Sequence, residues 1–246
     1  MVPEQTLVAP GIAQIANLDI TAVALQRLVE RNNCLPGLGV LFGPSGWGKT
    51  VSCNRLAQVY RGYFVSIKSA WSRKTLLEKI LTEMGIKPSG TIPQLLDQVC
   101  DQLAASNRPL ILDEFDYAAR KEPMLELVRD IHDGAQAAIL MVGEEQLPAK
   151  LKKWGRFHSR VLTWVAAQPV SMADARQLVP IYASGLTVTD DLLQKLLDIA
   201  QGSMRRVVVN LHSIAEEAGV AGWDMVDAAT WGNRPLYTGE AQKRRV

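Results

Sequence analysis

The sequence predicts an α/β fold in which helices cover both faces of a parallel sheet, followed by a small all-helical domain. Short apolar runs recur along the first two thirds of the chain, and each precedes a stretch with apolar residues at three- and four-residue spacing. Such alternation is typical of parallel sheets buried on both faces. The candidate strands are LGVLF (38–42), YFVSI (63–67), PLILD (109–113), AAILMV (137–142) and VLTWV (161–165).

The segments between these runs carry the helical spacing, and two of them also carry start signals. Ser72 precedes one helical segment, and Thr91 stands two residues before Pro93 in the next. The predicted helices are KTVSCNRLAQVY, SRKTLLEKILTEM, TIPQLLDQVCDQLAA and PMLELVRDIHD.

The strand pattern stops after VLTWVAAQPV, and the rest of the chain reads as three or four helices. Thr189 followed by Asp190 and Asp191 makes a good amino-terminal cap for one of them. We therefore predict an α/β core over residues 1–166, including a short amino-terminal segment. A helical lid follows over 167–235, and a loose basic tail over 236–246.

Composition narrows the class of protein. The chain has 246 residues, of which 48% are hydrophobic and 21% charged, which suits a globular protein with a buried core. The net charge of +2 is small, so a nucleic-acid site would have to be a local patch. Cys34, Cys53 and Cys100 show no C-x-x-C spacing, which disfavours a disulfide framework or a structural zinc site.

The sequence also predicts the cellular compartment of the protein. No apolar run approaches the roughly 18 residues that a membrane span requires. The first basic residue is Arg27, so the amino terminus lacks the positive region of a signal peptide. We expect a soluble protein of a reducing cytoplasm.

The stretch LFGPSGWGKT (41–50) fits the pattern G-x-x-x-x-G-K-[ST] and lies between a predicted strand and a predicted helix. Backbone N–H groups of such a loop wrap a phosphate chain, Lys49 reaches the β- and γ-phosphates, and the Thr50 hydroxyl ligates Mg²⁺. An accidental glycine-rich turn is the alternative. Trp47 could lie over the nucleotide or equally pack on a neighbour. The residues assigned to ATP are Gly43, Pro44, Ser45, Gly46, Trp47, Gly48, Lys49, Thr50 and Val51.

PLILDEFD (109–116) supplies acids where an apolar strand ends. Asp113 would hold Mg²⁺ through water beside Thr50, and Glu114 would polarise the water that attacks the γ-phosphate. A kinase of this class protects its phosphate from water, so the glutamate favours hydrolysis. Alternatively these acids merely cap the following helix, a role that Asp116 suits.

With these motifs in place, residues 20–232 resemble the AAA+ ATPases, a subset of the P-loop NTPases. PLILDEF looks like the Walker B motif of that family, and the helical remainder looks like its lid. QGSMRRVV resembles the sensor 2 motif, which implies that Arg205 contacts the γ-phosphate, with Arg206 as the neighbouring candidate.

MVGEEQLPAKLKKWGRFHSRV (141–161) is similar to the branch that contains the phage Mu B protein, TnsC and the ExeA-type ATPases. The resemblance implies that Glu144 is sensor 1, although Asn, Thr or Gln is commoner there, and Glu145 is nearly as plausible. It also implies that Arg160 is an arginine finger for a neighbouring subunit, with Arg156 as the alternative. A finger acting in trans implies a ring or a helical filament.

Two basic clusters are candidates for DNA contact, although a solvated basic face is an equally good explanation. One is Lys152 and Lys153 in LKKWGR, and the other is Lys68, Arg73 and Lys74 around Trp71. In the Mu B and TnsC branch, loops of the core track the DNA backbone, which gives salt-dependent binding of little sequence preference. The tail residues 243–245 could add a diffuse contact.

The resemblance implies an ATPase of DNA transposition that uses ATP and Mg²⁺, self-assembles on double-stranded DNA, and delivers it to a transposase. One alternative is an ExeA-like ATPase, although the chain leaves no room for its membrane and peptidoglycan-binding portions. A helicase loader of the IstB or DnaC type is another. A P-loop small-molecule kinase would be monomeric and need no Arg160, and a non-hydrolysing switch would not need Glu114.

Overall fold

In the computed structural model, which describes residues 13–32 and 34–240, five strands form one parallel sheet. Their order is β2-β3-β4-β1-β5, so β1 and β4 occupy the centre. All five lie where the apolar runs predict them, within two residues at each end. The strands are β1 (Leu38–Phe42), β2 (Tyr63–Ser66), β3 (Leu110–Asp113), β4 (Ile139–Gly143) and β5 (Val161–Ala166).

The burial of the strands explains their uniform apolar composition. Every residue of β3 and β4 is buried. Because successive side chains of a strand point to opposite faces, complete burial requires cover on both sides of the sheet. The edge strand β5 is only partly buried. The predicted α/β fold class is therefore confirmed.

The helices associated with this sheet begin where the sequence supplies start signals. Ser72 caps the third helix by accepting a hydrogen bond from the N–H of Thr75 at 3.2 Å. The side chain of Gln94 accepts from the N–H of Thr91 at 2.9 Å, which completes a capping box. The helices are α1 (Ala16–Val29), α2 (Lys49–Val59), α3 (Arg73–Glu83), α4 (Ile92–Ser106), α5 (Asp116–Ala119), α6 (Glu122–Ala135), α7 (Leu147–Lys152) and α8 (Gly155–His158).

The carboxyl-terminal part is mainly helical but contains two short strands. Thr187–Val188 (β6) and Met225–Val226 (β7) pair in parallel. The expectation that strands stop after β5 is therefore wrong at these positions, because a two-residue strand is too short to show a period in the sequence. The helices are α9 (Met172–Tyr182), α10 (Asp190–Ala200), α11 (Met204–Ala221) and α12 (Ala228–Trp231).

Contacts divide the chain into two compact units. Among the described residues, one unit comprises 18–32, 34–44 and 49–167, and the other comprises 13–17, 45–48 and 168–240. The tip of the glycine-rich loop thus groups with the carboxyl-terminal helices, which the sequence did not predict. The domain limits 1–166, 167–235 and 236–246 stay a prediction, and residues 241–246 lie outside the described part.

Within residues 13–32 and 34–240, no helix combines the length and the apolar character that crossing a membrane would require.

Candidate nucleotide site

The glycine-rich loop joins the end of β1 to the start of α2, and two of its glycines have backbones that favour glycine. Gly46 has φ +81° and Gly48 has φ +86°. A Cβ on Gly46 would lie 2.7 Å from Oγ of Ser203, and one on Gly48 would lie 3.1 Å from Sδ of Met204. Both positions therefore favour glycine for conformation, and Gly46 favours it for space as well.

The tip of the loop is held by hydrogen bonds to its backbone. The N–H of Arg205, in the first turn of α11, donates to the carbonyl of Gly46 at 3.0 Å. The amide of Asn17 donates to the carbonyl of Trp47 at 2.7 Å and to that of Gln168 at 2.8 Å. Asn17 is 2% exposed. The sequence analysis missed Asn17, and the only available signal was an amide in the apolar pattern of α1.

Trp47 is half-buried, and Gly202 lies against its indole ring. A Cβ on Gly202 would approach Cζ2 of the ring to 2.8 Å. Of the two alternatives for Trp47, the structure thus shows packing on a neighbour. Its assignment to the nucleotide stays a prediction.

Lys49 begins α2 and points back over the loop. Its ammonium donates to the carbonyls of Gly43 at 2.7 Å and Pro44 at 2.8 Å. Burial lowers the pKa of Lys49, while the carboxylates of Asp113 and Glu114 act against that shift. The loop, the lysine and the acids therefore share one electrostatic environment.

Thr50 and Asp113 form the pair that the predicted magnesium site requires. Oγ1 of Thr50 donates to Oδ2 of Asp113 at 2.8 Å, and Asp113 is 4% exposed. A hydroxyl and a carboxylate this close can share one hard cation, either directly or through water. The residues present therefore fit a magnesium–nucleotide complex, with the loop N–H groups for phosphate and this pair for the metal.

Glu114 follows β3 with an uncommon backbone. Its φ is +55°, and its N–H donates to Oδ1 of Asp113 at 2.9 Å. Burial is the main cause that raises the pKa of Glu114, and the neighbouring charges of Asp113 and Glu144 raise it further. Asn107, Gln136 and Gln201 also have positive φ but lie at helix ends, where such backbones are common. Glu114 instead lies directly after β3, between Asp113 and the start of α5.

Glu144 directly follows β4 and lies within electrostatic range of the same site. Its charge raises the pKa of Glu114 and acts on Lys49. Its backbone N–H donates to Oδ2 of Asp116 at 2.6 Å. These couplings favour Glu144 over Glu145 as the sensor 1 candidate, and the assignment stays a prediction.

The sequence suggested that the side chain of Asp116 caps the following helix, but the structure shows a different role. It is the first residue of α5, and its carboxylate bonds the Glu144 N–H and the Lys150 ammonium, at 2.6 and 2.5 Å. Sequence spacing gave no sign of this contact with the loop after β4.

Arg205 and Arg206 differ in their surroundings. Arg205 is exposed, and its backbone is bonded to the loop tip at Gly46. The guanidinium of Arg206 reaches the carbonyl of Ala200 and the side chain of Gln201, both at 3.5 Å. The assignment of Arg205 to the γ-phosphate, with Arg206 as the alternative, stays a prediction.

Arg160 lies at the amino-terminal edge of the sheet, away from the loop. Its carbonyl accepts from the N–H of Leu38, the first residue of β1, whereas the loop follows the last. Five strand residues span about 16 Å. The guanidinium forms a two-pronged ion pair with Asp133, with both short contacts at 2.8 Å. Arg156, the alternative finger, is exposed in α8.

Both basic clusters are exposed. Lys68 lies just after β2, and Arg73 and Lys74 begin α3, where Lys74 approaches Glu78 at 3.8 Å. Lys152 and Lys153 end α7. Lys68 thus lies near the carboxyl edge of the sheet, which also carries the loop, whereas Lys152 and Lys153 lie on the connection from the end of β4 to the start of β5. The basic residues 243–245 lie outside the described residues.

The strand order, the glycine-rich loop after β1 and the acids after β3 together define the AAA+ P-loop NTPase fold. This fold implies nucleotide binding.

Comparison with known proteins supports this class. Residues 34–151 match the family model of an AAA domain. No curated protein sequence matches the chain.

Similar solved structures include the ORC2 protein of Aeropyrum pernix, in ADPNP and ADP complexes. It is 18% identical, with a TM-score of 0.67, over 92% of this chain and 70% of that one. The ORC1 protein of Aeropyrum pernix in complex with DNA is 15% identical, with a TM-score of 0.65, over 92% and 65%. CDC6P from Pyrobaculum aerophilum is 18% identical, with a TM-score of 0.60, over 92% and 68%. At these identities the likeness is one of fold, and the resemblance to the Mu B and TnsC branch stays a prediction.

Proposed function

We propose that this chain is an ATPase that works on double-stranded DNA as an assembly of its own copies. The observation that carries the ATPase part is the contact of Thr50 with Asp113 at 2.8 Å, with Glu114 as the next residue. That arrangement supplies a metal pair and an adjacent base at the end of one strand. When bound, Mg²⁺ would neutralise charge on the β- and γ-phosphates.

The other steps of ATP binding and hydrolysis are assigned to four side chains. Lys49 binds the β- and γ-phosphates after leaving the carbonyls of Gly43 and Pro44. Glu114 orients the attacking water and takes its proton, and its raised pKa makes it a stronger base than an exposed glutamate. Glu144 senses the γ-phosphate, and Arg205 contacts it from the start of α11.

Assembly is proposed because Arg160 lies at the edge of the sheet opposite the loop of its own chain. From that edge it is placed to complete the site of a neighbouring copy, as the resemblance to the Mu B and TnsC branch implies. Its ion pair with Asp133 must open first. The two side chains are 35% and 40% exposed, so the pair is worth no more than about 1 kcal/mol and is easily exchanged.

DNA binding is proposed from the two exposed basic clusters, at Lys68, Arg73 and Lys74 and at Lys152 and Lys153. Their lysines and arginine would neutralise backbone phosphates without reading bases. The similar ORC1 protein was determined in complex with DNA, which supports a DNA role for this chain.

The most specific part of the proposal is a role in DNA transposition. On this view ATP-bound copies coat target DNA, present it to a transposase, and leave after hydrolysis. It rests on the resemblance of residues 141–161 to the Mu B and TnsC branch. Stimulation of the ATPase by the transposase of the same mobile element would test it, and an indifferent rate would reject it.

The central experiment measures ATPase rate per subunit against protein concentration, with and without double-stranded DNA. We expect the rate to rise with concentration and to rise further with DNA. Lys49→Ala should abolish nucleotide binding and DNA association together. A flat rate that ignores DNA would reject the assembly and favour a monomeric enzyme.

A mixing experiment tests the shared site directly. Arg160→Ala keeps its own base, and Glu114→Gln keeps its finger, so each variant alone should be nearly inactive. Mixed in equal amounts, they should regain activity at interfaces that combine both intact parts. Arg156→Ala serves as the matched comparison. If Arg156→Ala and not Arg160→Ala complements Glu114→Gln, the finger is Arg156.

A further inference from the structure

A buried carboxylate links the candidate site to a basic helix. Asp116 is 3% exposed and lies three residues beyond the metal-binding candidate Asp113. Oδ2 of Asp116 accepts the Glu144 N–H at 2.6 Å, and Oδ1 accepts the Lys150 ammonium at 2.5 Å. Both oxygens are therefore committed to the segment after β4.

The segment Gly143–Glu144 packs closely against the carboxylate of Asp116. A Cβ on Gly143 would clash with Oδ2 of Asp116, so glycine favours this close approach of the backbone. Hydrogen bonds from a backbone N–H to a carboxylate are short and strong. The turn after Glu144 is closed by the Leu147 N–H, which donates to the Glu144 carbonyl at 3.0 Å. The backbone of Glu144 is thus bonded at its N–H and at its carbonyl.

The other end of the linkage is α7. Lys150 lies on the helix that ends in the DNA-contact candidates Lys152 and Lys153. Lys150 is less exposed than these two lysines, because its ammonium turns inward to Asp116. Lys150 therefore joins the helix of the exposed lysines directly to the carboxylate that holds Glu144.

We propose that Asp116 is a positioning residue that fixes Glu144 beside the nucleotide and couples the Glu144 backbone to α7. Asp116 itself touches neither phosphate nor water in this role. The inference deepens the proposed function, because it explains how DNA on α7 would alter hydrolysis. The fixing of Glu144 does not depend on any nucleotide or DNA.

Hydrogen exchange of the free protein tests the fixing part alone. In Asp116→Ala, we expect the Glu144 amide to exchange about tenfold faster or more, because it loses a charge-assisted partner. Lys150→Met keeps the acceptor of that amide and should raise its exchange by a smaller factor. Asp101→Ala, an exposed acid of α4, is the control and should leave this amide unchanged. Unchanged exchange in folded Asp116→Ala would overturn the proposal.

Kinetics then separate positioning from general damage. Nucleotide affinity should stay within about threefold in Asp116→Ala while kcat falls about tenfold or more, a loss confined to the chemical step. Lys150→Met should keep most basal activity and lose stimulation by DNA, whereas Lys87→Met, at an exposed lysine elsewhere, should keep both. Equal losses of affinity and kcat would reduce Asp116 to a structural residue. If the wild type shows no ATPase at all, the proposed function fails, but the exchange result still decides the role of Asp116.

Discussion

At the residue scale, Glu114 combines an unusual backbone with a raised pKa. A non-glycine residue at positive φ costs about 1 kcal/mol or more, and such residues persist where surrounding structure holds them. Here the hydrogen bond from the Glu114 N–H to Asp113 helps to hold it. The chain therefore accepts local strain at the position assigned to the general base.

Removing this carboxylate should stop hydrolysis and spare binding. Glu114→Gln keeps size and shape but cannot accept a proton, so we expect the ATPase rate to fall by about a hundredfold or more. Nucleotide affinity should change little, and the variant should remain on DNA longer than the wild type after ATP is added. Filter binding and phosphate release measure the two effects. Rapid turnover by Glu114→Gln would show that another residue is the base.

The ion pair of Arg160 with Asp133 makes a second prediction at this scale. Asp133→Asn should free the guanidinium and lower the protein concentration at half-maximal ATPase activity, by about fivefold at most, as expected for a partly exposed pair. Asp130→Asn, at a neighbouring acid of α6, is the control. An increase in that concentration would mean that Asp133 helps assembly rather than restrains Arg160.

At the element scale, α6 carries a buried histidine with a defined tautomer. Nε2 of His132 accepts the Gly37 N–H at 3.3 Å, so Nδ1 carries the proton and donates to the Ala137 carbonyl at 2.9 Å. Burial lowers the pKa of His132, and the charges of Arg31 and Arg160 lower it further, while its bond to Ala137 and the charge of Asp133 act in the opposite direction.

This lowered pKa predicts a pH dependence of stability. Because the folded state binds this proton less readily than the unfolded state, the stabilising contribution of His132 is fully present above the ordinary histidine pKa of 6.5. It is lost as the pH falls through the lower, folded-state pKa. Urea unfolding at about pH 7.5 and pH 5.5 should show lower stability in acid.

Substitution should isolate this contribution. His132→Gln should reduce the difference in unfolding free energy between the two pH values, whereas His212→Gln, at an exposed histidine of α11, should not. If both variants keep the full difference, other groups cause it.

The elements differ in how far the sequence could predict them. β3 and β4 were predictable because their burial on both faces produces continuous apolar runs. The loop and the acids after β3 were predictable because local chemistry fixes their spacing. By contrast, Asn17 bonds Gln168 across 151 positions, and no local pattern reports such a contact. Asp116 resembled a helix cap for the same reason, since its partners lie in the segment after β4.

At the scale of the whole molecule, the charge is almost balanced, so DNA affinity must come from local clusters. The chain has 27 basic and 25 acidic residues, excluding histidine. Its long-range field is therefore weak, and binding should depend on direct contact of a few lysines and arginines with phosphates.

This balance makes the DNA clusters testable one at a time. Each lost phosphate contact should reduce the slope of log affinity against log salt by about 0.9. Two lost contacts should therefore reduce it by about 1.8, which we expect for Lys152→Ala with Lys153→Ala, and separately for Lys68→Ala with Arg73→Ala. Lys87→Ala is the control, and fluorescence anisotropy over a salt series measures the slope. An unchanged slope for either pair would remove that cluster from the interface.

The packing at the tip of the glycine-rich loop limits which substitutions can accumulate there during evolution. Position 46 is formally free in the pattern G-x-x-x-x-G-K-[ST], yet a side chain there would meet Ser203 at 2.7 Å, and Arg205 bonds the same residue. A descendant that replaces Gly46 must therefore tolerate a side chain at φ +81° and also change the start of α11. We expect positions 46 and 203 to vary together among its relatives, so that a nominally variable place in the motif is inherited jointly with a helix more than 150 residues away.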